Sequence, residues 1–191
     1  GFVRQTTACG AQAPQQIAPM VFDAPEDQKL DSATTVDAVM TTSCGDISIE
    51  LDPSIAPQTV NSFVFLAGAG YFDGTVSHRI LPGYVIQAGD PTGTGRGGPG
   101  YTIPDELPDA GFLYEEGVLA MANAGPNTTG SQFFIMLGDA PLPPNYSVFG
   151  RVTDGFETLA SAATIPLGPN AFGEVSVPLE TLYIESITIN E

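Results

Sequence analysis

Apolar and polar residues alternate along Ile47-Ser48-Ile49-Glu50-Leu51, the two-residue period of a strand with one buried face. The preceding run, 36–42, pairs with it as a hairpin that turns at Cys44-Gly45-Asp46, and Asp52-Pro53 ends the second strand. Over 57–69 the period lengthens. Val60, Phe63, Val64 and Ala67 share one helical face, Pro57 suits the first turn, and Gly68 and Gly70 end it. Strand-like runs return at 75–81 and 85–89, joined at Pro82-Gly83. The run 118–122 is small and apolar, 132–137 is aromatic and branched, and the turn residues of 123–131 separate them, so two core strands meet at an ordered polar loop. Another strand is predicted over 147–152. Asp154 and Glu157 form a capping box for a second helix, with Leu159 and Ala163 toward the core. The stretch 165–178 reads as a long loop. Leu182 and Ile184, then Ile187 and Ile189, alternate with a change of phase near Glu185, which predicts a closing strand with a bulge. About eight short strands and two helices predict a mainly β fold, a closed antiparallel β-barrel capped by helices.

Length and composition leave room for one domain in the 191 residues. Residues 1–35 are rich in Ala, Gln, Thr, Pro and Asp without apolar periodicity and read as an extended linker or tail, in which Met20-Val21-Phe22 is a candidate docking cluster. Residues 36–191 form the domain. The formal net charge is −17, with one lysine, Lys29, and four arginines. Such a surface repels nucleic acid and anionic lipid, which need clustered cations. No apolar run approaches the ~18 residues of a membrane-spanning helix.

The two cysteines, Cys9 and Cys44, are not at metal-ligand spacing. They leave two readings open. A bridge would pin the tail to the start of the barrel. Alternatively, Thr7-Ala8-Cys9-Gly10 resembles a bacterial lipoprotein cleavage site, although Thr6 stands where an apolar residue is usual. Both place the chain outside the cytoplasm, and a chain that begins without Met fits trimming on export.

Candidate chemistry is sparse. The one histidine, His78, follows Ser77 directly, so in a strand their side chains point to opposite faces and form no nucleophile–base dyad. His78 shares a face with Val76 and Ile80 and reads as core. Arg79 lies on the other face with Ser77 and Leu81, either as a surface cation paired with one of the many acids or as a functional one. Gly93-Thr94-Gly95-Arg96-Gly97-Gly98 matches G-x-G-x-x-G, but Pro99-Gly100-Tyr101 follows it where a dinucleotide site needs a helix, so a flexible loop is expected. No cofactor or metal is expected.

Three segments carry a resemblance: MANAGPNTTGSQFFI at 121–135, HRILPGYVIQAGD at 78–90, and the glycine-rich loop 93–100. Together, and in this order, they resemble the cyclophilin family of peptidyl-prolyl cis-trans isomerases, exported bacterial members among them. The resemblance runs from about Val36 to Ile189. It implies an eight-stranded barrel with two helices and isomerisation of X-Pro bonds in protein folding. Carried over residue by residue, Arg79 is the catalytic arginine and Gln87 orients it and contacts substrate. Tyr84, Val85, Phe134 and Leu142 line a proline pocket, and Tyr146 stands at its rim. Ala122 and Asn123 offer main-chain hydrogen bonds. Gln132 lies at the groove edge, and Ala124 borders a neighbouring shallow pocket. Tyr84 and Val85 replace the family's common Phe and Met, Tyr146 replaces its rim His, and the chain has no Trp, which implies weak cyclosporin binding. Proline-containing polypeptides are the implied partners of a monomer. A second reading, a proline-peptide binding module or chaperone with little turnover, differs in that it tolerates loss of Arg79.

Overall fold

The computed structural model describes residues 6–15 and 18–190. The linker reading also covers 1–5 and 16–17, which lie outside the described residues. The predicted hairpin forms as β1 (Val36–Thr42) and β2 (Gly45–Leu51), paired antiparallel with Met40 opposite Ile47 and Ala38 opposite Ile49. In β2, Ile47, Ile49 and Leu51 are buried and the residues between them are not, as the alternation requires. Helix α1 (Pro57–Gly68) buries Val60, Phe63, Val64, Leu66 and Ala67. Phe63 packs against Phe149, Phe72 and Phe133 with ring centroids at 5.1, 5.2 and 5.5 Å. Burying each such side chain contributes about 1.5–3 kcal/mol, so this helix closes the core.

The remaining strands of the main sheet are β3 (Thr75–Val76), β4 (Arg79–Leu81), β5 (Val85–Ala88), β6 (Val118–Met121), β7 (Phe133–Met136), β8 (Val148–Asp154) and, last in the chain, β11 (Tyr183–Asn190). They pair in the order β3-β11-β1-β2-β8-β6-β7-β5-β4, every ladder antiparallel. This corrects the expectation of a closed eight-stranded barrel. The sheet is a curled half-barrel of nine strands whose edges are β3 and β4, and those edges are joined only through Ser77-His78. The single strand predicted over 75–81 breaks there because Ser77 N–H turns to the Leu182 carbonyl at 2.9 Å and its hydroxyl to the Gln87 carbonyl at 2.9 Å. The predicted bulge stands: Thr41 faces Ser186 and Thr42 faces Ile184, which leaves Glu185 as the extra residue.

Helix α2 (Phe156–Ala162) starts one residue later than the capping box proposed. Gly155 holds the N-cap position with φ 90°, and a Cβ there would lie 2.4 Å from the Asp46 carbonyl oxygen. Positive φ and close backbone approach both demand glycine. The core-facing residues are Thr158, Leu159 and Ala162 rather than Ala163. The stretch 165–178 is not a plain loop. It folds as a separate two-stranded ladder of β9 (Leu167–Pro169) and β10 (Val175–Pro178).

The described part of residues 6–35 is held against the domain. Cys9 is bonded to Cys44, Ala8 is fully buried, and Ala8 N–H donates to the Thr181 carbonyl at 2.9 Å. Phe22 stacks edge-on against Phe65 at 5.0 Å and donates its N–H to the Pro99 carbonyl at 2.7 Å, at the end of the glycine-rich loop. Among the described residues no helix is long and apolar enough to cross a membrane.

Candidate active site

Register builds the site. Arg79 on β4 lies opposite Gln87 on β5, Gln87 lies opposite Phe134 on β7, and Phe134 lies opposite Ala120 on β6. Residues directly opposite in a sheet share a face, so these four project to the outer side of the half-barrel. Their neighbours Ile80, Ile86, Phe133 and Ile135 point into the main core. Strand β7 is therefore buried on both sides. Its outer side supports a second apolar cluster of Val85, Tyr114, Ala120, Phe134, Met136 and Val148, on which Tyr84, Leu142 and Tyr146 lean.

On this cluster sits a cavity of about 210 Å³ lined by Arg79, Tyr84, Val85, Gln87, Ala122, Asn123, Phe134, Leu142 and Tyr146. Nine of the eleven site residues expected from sequence thus share one cavity. The other two, Ala124 and Gln132, line an adjoining groove of about 640 Å³ that shares Gln87, Ala122 and Asn123 with the first. The Tyr146 ring packs edge-on against Phe134 at 5.4 Å, and the Tyr146 carbonyl accepts the Tyr114 hydroxyl at 2.9 Å. Ala122 N–H is donated to the Gln132 carbonyl at 2.9 Å, so only its carbonyl side is left for a peptide. The Asn123 side chain donates to the Asn145 carbonyl at 2.8 Å and fixes the loop 123–131 against the cavity rim.

Side-chain amides tie the two grooves together. Gln87 Nε2 donates to Gln132 Oε1 at 3.1 Å, and Gln132 Nε2 donates to the Gly97 carbonyl at 3.0 Å. Gly97 belongs to the loop expected to be flexible. Instead, that loop is wrapped around the fully buried Asp90. Asp90 Oδ1 accepts Thr92 N–H and Thr92 Oγ1 at 2.7 Å each, and Oδ2 accepts Thr94 N–H at 2.9 Å and Arg96 N–H at 3.0 Å. A Cβ on Gly97 would stand 2.0 Å from Asp90 Oδ1, which explains the glycine there. Burial alone would raise the Asp90 carboxyl, but hydrogen bonds from the Thr92 side chain and from the main chain of the loop outweigh it and hold it below the ordinary value. No helix follows this glycine pattern; the next element is strand β6. His78 is half-buried beneath the same loop, against Gly95, rather than in the main core. Burial lowers its pKa, the Asp90 charge opposes this in part, and the smaller effect of the Arg79 charge adds to the lowering.

Arg79 combines two placements. It lines the cavity, and it is paired with an acid. Nε donates to Glu174 Oε1 at 2.9 Å and Nη2 donates to Glu174 Oε2 at 2.8 Å, while Nη1 reaches Gln87 Oε1 at 3.5 Å. The hydrogen bonds from Arg79 and then from Ser176 pull the Glu174 carboxyl down to about 2, and the same contact raises Arg79 further. Glu174 is the site residue that sequence reasoning missed. Asn170 and Gly173 are turn signals before the Val175/Val177 alternation, and could have marked the hairpin. Nothing local marks a partner 95 residues away.

These features define a class of protein: an antiparallel half-barrel domain whose outer face presents a cation in a small cavity walled by aliphatic and aromatic side chains together with polar ones. The sequence profile described as cyclophilin type peptidyl-prolyl cis-trans isomerase/CLD matches residues 38–189. The chain is 44% identical over 139 residues to peptidyl-prolyl cis-trans isomerase-like 1 of the fungus Gibberella zeae, covering 70% of this chain and 85% of the relative. It is 40% identical over 171 residues to the probable peptidyl-prolyl cis-trans isomerase B of Mycobacterium leprae, covering 82% of this chain and 57% of the relative. A crystal structure of a Cryptosporidium parvum cyclophilin type isomerase, determined in the presence of the dipeptide Ala-Pro, superposes with a TM-score of 0.74 at 36% identity, covering 81% of this chain and 99% of that one. The chain belongs to the cyclophilin-type peptidyl-prolyl cis-trans isomerases, and it is an isomerase of X-Pro bonds.

Proposed function

We propose that the prolyl ring of a client peptide occupies the 210 Å³ cavity and that Arg79 carries the isomerisation. The single observation behind this is the convergence of Arg79 with Tyr84, Val85, Phe134, Leu142 and Tyr146 on that one cavity. The reaction makes and breaks no bond. The X-Pro amide must lose its partial double-bond character, against a barrier of about 18–20 kcal/mol. In the twisted state the prolyl nitrogen becomes pyramidal and recovers its lone pair. A guanidinium donates to that nitrogen and to the substrate carbonyl, and it stays charged at any working pH. A rate gain of about 10⁵ requires about 7 kcal/mol of preferential transition-state binding. A positioned cation and a seat for the ring against Val85, Phe134 and Leu142 are of the right kind to supply it.

Gln87, directly opposite Arg79 in the β4–β5 ladder, orients it and meets the substrate. The Ala122 carbonyl and the Asn123 main chain hold the residues next to proline, and Ala124 and Gln132 border the adjoining groove. The Ala-Pro dipeptide present with the Cryptosporidium relative supports proline peptides as the ligand class. The Cys9–Cys44 bond supports an oxidising, extracytoplasmic setting, where such an activity assists the folding of exported proteins. The bond also uses the thiol that the lipid-anchor reading required. The missing Trp supports weak cyclosporin binding.

The test is NMR exchange on a short X-Pro-Phe peptide with the intact chain and with Arg79→Ala. The expected outcome is a fall in kcat/KM of at least about 100-fold, or about 2.7 kcal/mol, with the fold unchanged. A loss below about threefold overturns the assignment of Arg79. Saturable peptide binding without exchange in the intact chain would favour the binding-module reading and move attention to Tyr84, Val85 and Tyr146.

A further inference from the structure

The Arg79 guanidinium is a flat fork of five N–H donors. One edge of that fork, Nε and Nη2, is filled by the two oxygens of Glu174. Two parallel hydrogen bonds fix the plane of a guanidinium, which a single bond does not. What remains, Nη1 and the second Nη2 hydrogen, is the part of the fork not engaged by the carboxylate, and Nη1 is the end that reaches toward Gln87 in the cavity wall.

Glu174 is itself built into place. It follows the turn between β9 and β10, where Asn170 Oδ1 accepts Phe172 N–H at 2.9 Å and Glu174 N–H at 3.1 Å, and Asn170 N–H donates to the Glu174 carbonyl at 2.8 Å. Asn170 Nδ2 lies 3.4 Å from Glu174 Oε1, and the side chain of Ser176 also bonds the carboxylate. Hairpin β9–β10 packs beside β4, the strand that carries Arg79.

We propose that Glu174 is a positioning residue for the isomerase reaction, holding the Arg79 guanidinium by its Nε–Nη2 edge so that the Nη1 end serves the twisted X-Pro bond. This rests on Arg79 being the catalytic group. A neighbouring carboxylate also tempers the charge of the cation. The two side chains are 32% and 37% exposed, so solvent screens that opposing effect, whereas the loss of orientation is not screened. Orientation therefore wins, and removing the carboxylate slows the reaction.

The experiment compares the intact chain with Glu174→Gln, Glu174→Asp and Arg79→Ala, by NMR exchange on the same X-Pro-Phe peptide, by peptide titration, and by the Arg79 Nε–H resonance, assigned by its disappearance in Arg79→Ala. Glu174→Gln is expected to lower the exchange rate at saturating peptide about tenfold, equivalent to about 1.4 kcal/mol, with peptide affinity within about twofold. Its Arg79 Nε–H signal is expected to shift and to exchange faster with water. Glu174→Asp keeps the charge and is expected to recover part of the rate. A purely structural role for the hairpin would leave the Nε–H signal in place and lower the affinity together with the rate. An unchanged or faster rate in Glu174→Gln, alongside an inactive Arg79→Ala, overturns the role of Glu174 and leaves that of Arg79 standing. An active Arg79→Ala overturns both.

Discussion

At the scale of single residues, a buried carboxylate does as much to shape the groove as the residues that touch it. Asp90 gathers main-chain and hydroxyl donors from Thr92, Thr94 and Arg96, and the loop it gathers presents the Gly97 carbonyl to Gln132. Asp90→Ala leaves those donors unsatisfied. The expected cost is about 1–3 kcal/mol of stability, read as a lower urea midpoint, with weaker binding of peptides long enough to enter the adjoining groove. Its carboxyl lies below the ordinary value of 3.8 in the folded state, so the stability it contributes is complete above that value and is lost as pH falls through the depressed one. Asp90→Asn should therefore show a smaller loss of stability than the parent as pH falls below 3.8; equal losses would refute the linkage. The sequence displayed Asp90 and the glycines but not their relation, because a carboxylate folded into its own downstream loop has no period to read. The pocket residues were more legible through the motifs that carry the family resemblance, although only Val85 and Phe134 lie in strands and Tyr84, Leu142 and Tyr146 lie in turns and loops.

At the scale of elements, strands and helices came through where one side is buried and failed where the interaction is remote. Helix α1 begins at Ala56, which offers no side-chain cap. Its orphan donors are met instead from a distant loop: Glu106 Oε1 accepts Gln58 N–H at 3.0 Å, and Oε2 accepts Thr59 N–H and Thr59 Oγ1 at 2.8 Å each. A carboxylate at a helix N-terminus satisfies free N–H groups and opposes the positive end of the helix dipole. Glu106→Ala is expected to destabilise by about 0.5–2 kcal/mol, the range of a lost N-cap, measured by thermal unfolding, with isomerase activity per folded molecule intact. Hairpin β9–β10 was hidden for a related reason. Its strands are short, with Pro169 and Pro178 at their ends, and its purpose lies in contact with β4 rather than in a core stripe of its own.

At the scale of the whole molecule, the described part of the segment before β1 is strapped to the domain at two points. It is anchored by the disulfide near the β1–β2 turn and by Phe22 beside the end of the glycine-rich loop. Closing a separation of 35 residues restricts the unfolded chain by about 3–4 kcal/mol in the chain-entropy account. Reduction and alkylation should lower the guanidinium midpoint accordingly, with a mass shift for two modified thiols only after reduction. Two thiols that react without reductant, or an unchanged midpoint, would contradict the strap.

The order of residues set the strands of the main sheet apart from the break at Ser77-His78, the bulge at Glu185, the first helix and, through the resemblance its motifs carry, the family and the residues that meet at the cavity. These follow from local periods and contiguous motifs, which exist before any folding. Tertiary structure alone decided that the sheet stops at Ser77-His78 as a half-barrel, that Asp90 organises the loop over the second groove, that Glu106 caps a helix 47 residues away, and that Glu174 grips Arg79 across 95 residues. Those of Ser77, Glu106 and Glu174 are polar partnerships between distant segments, and that of Asp90 is a polar partnership within a loop. Hydrogen bonds and ion pairs are satisfied by whichever group the folded chain brings within about 3 Å, and that choice leaves no repeat in the order of residues.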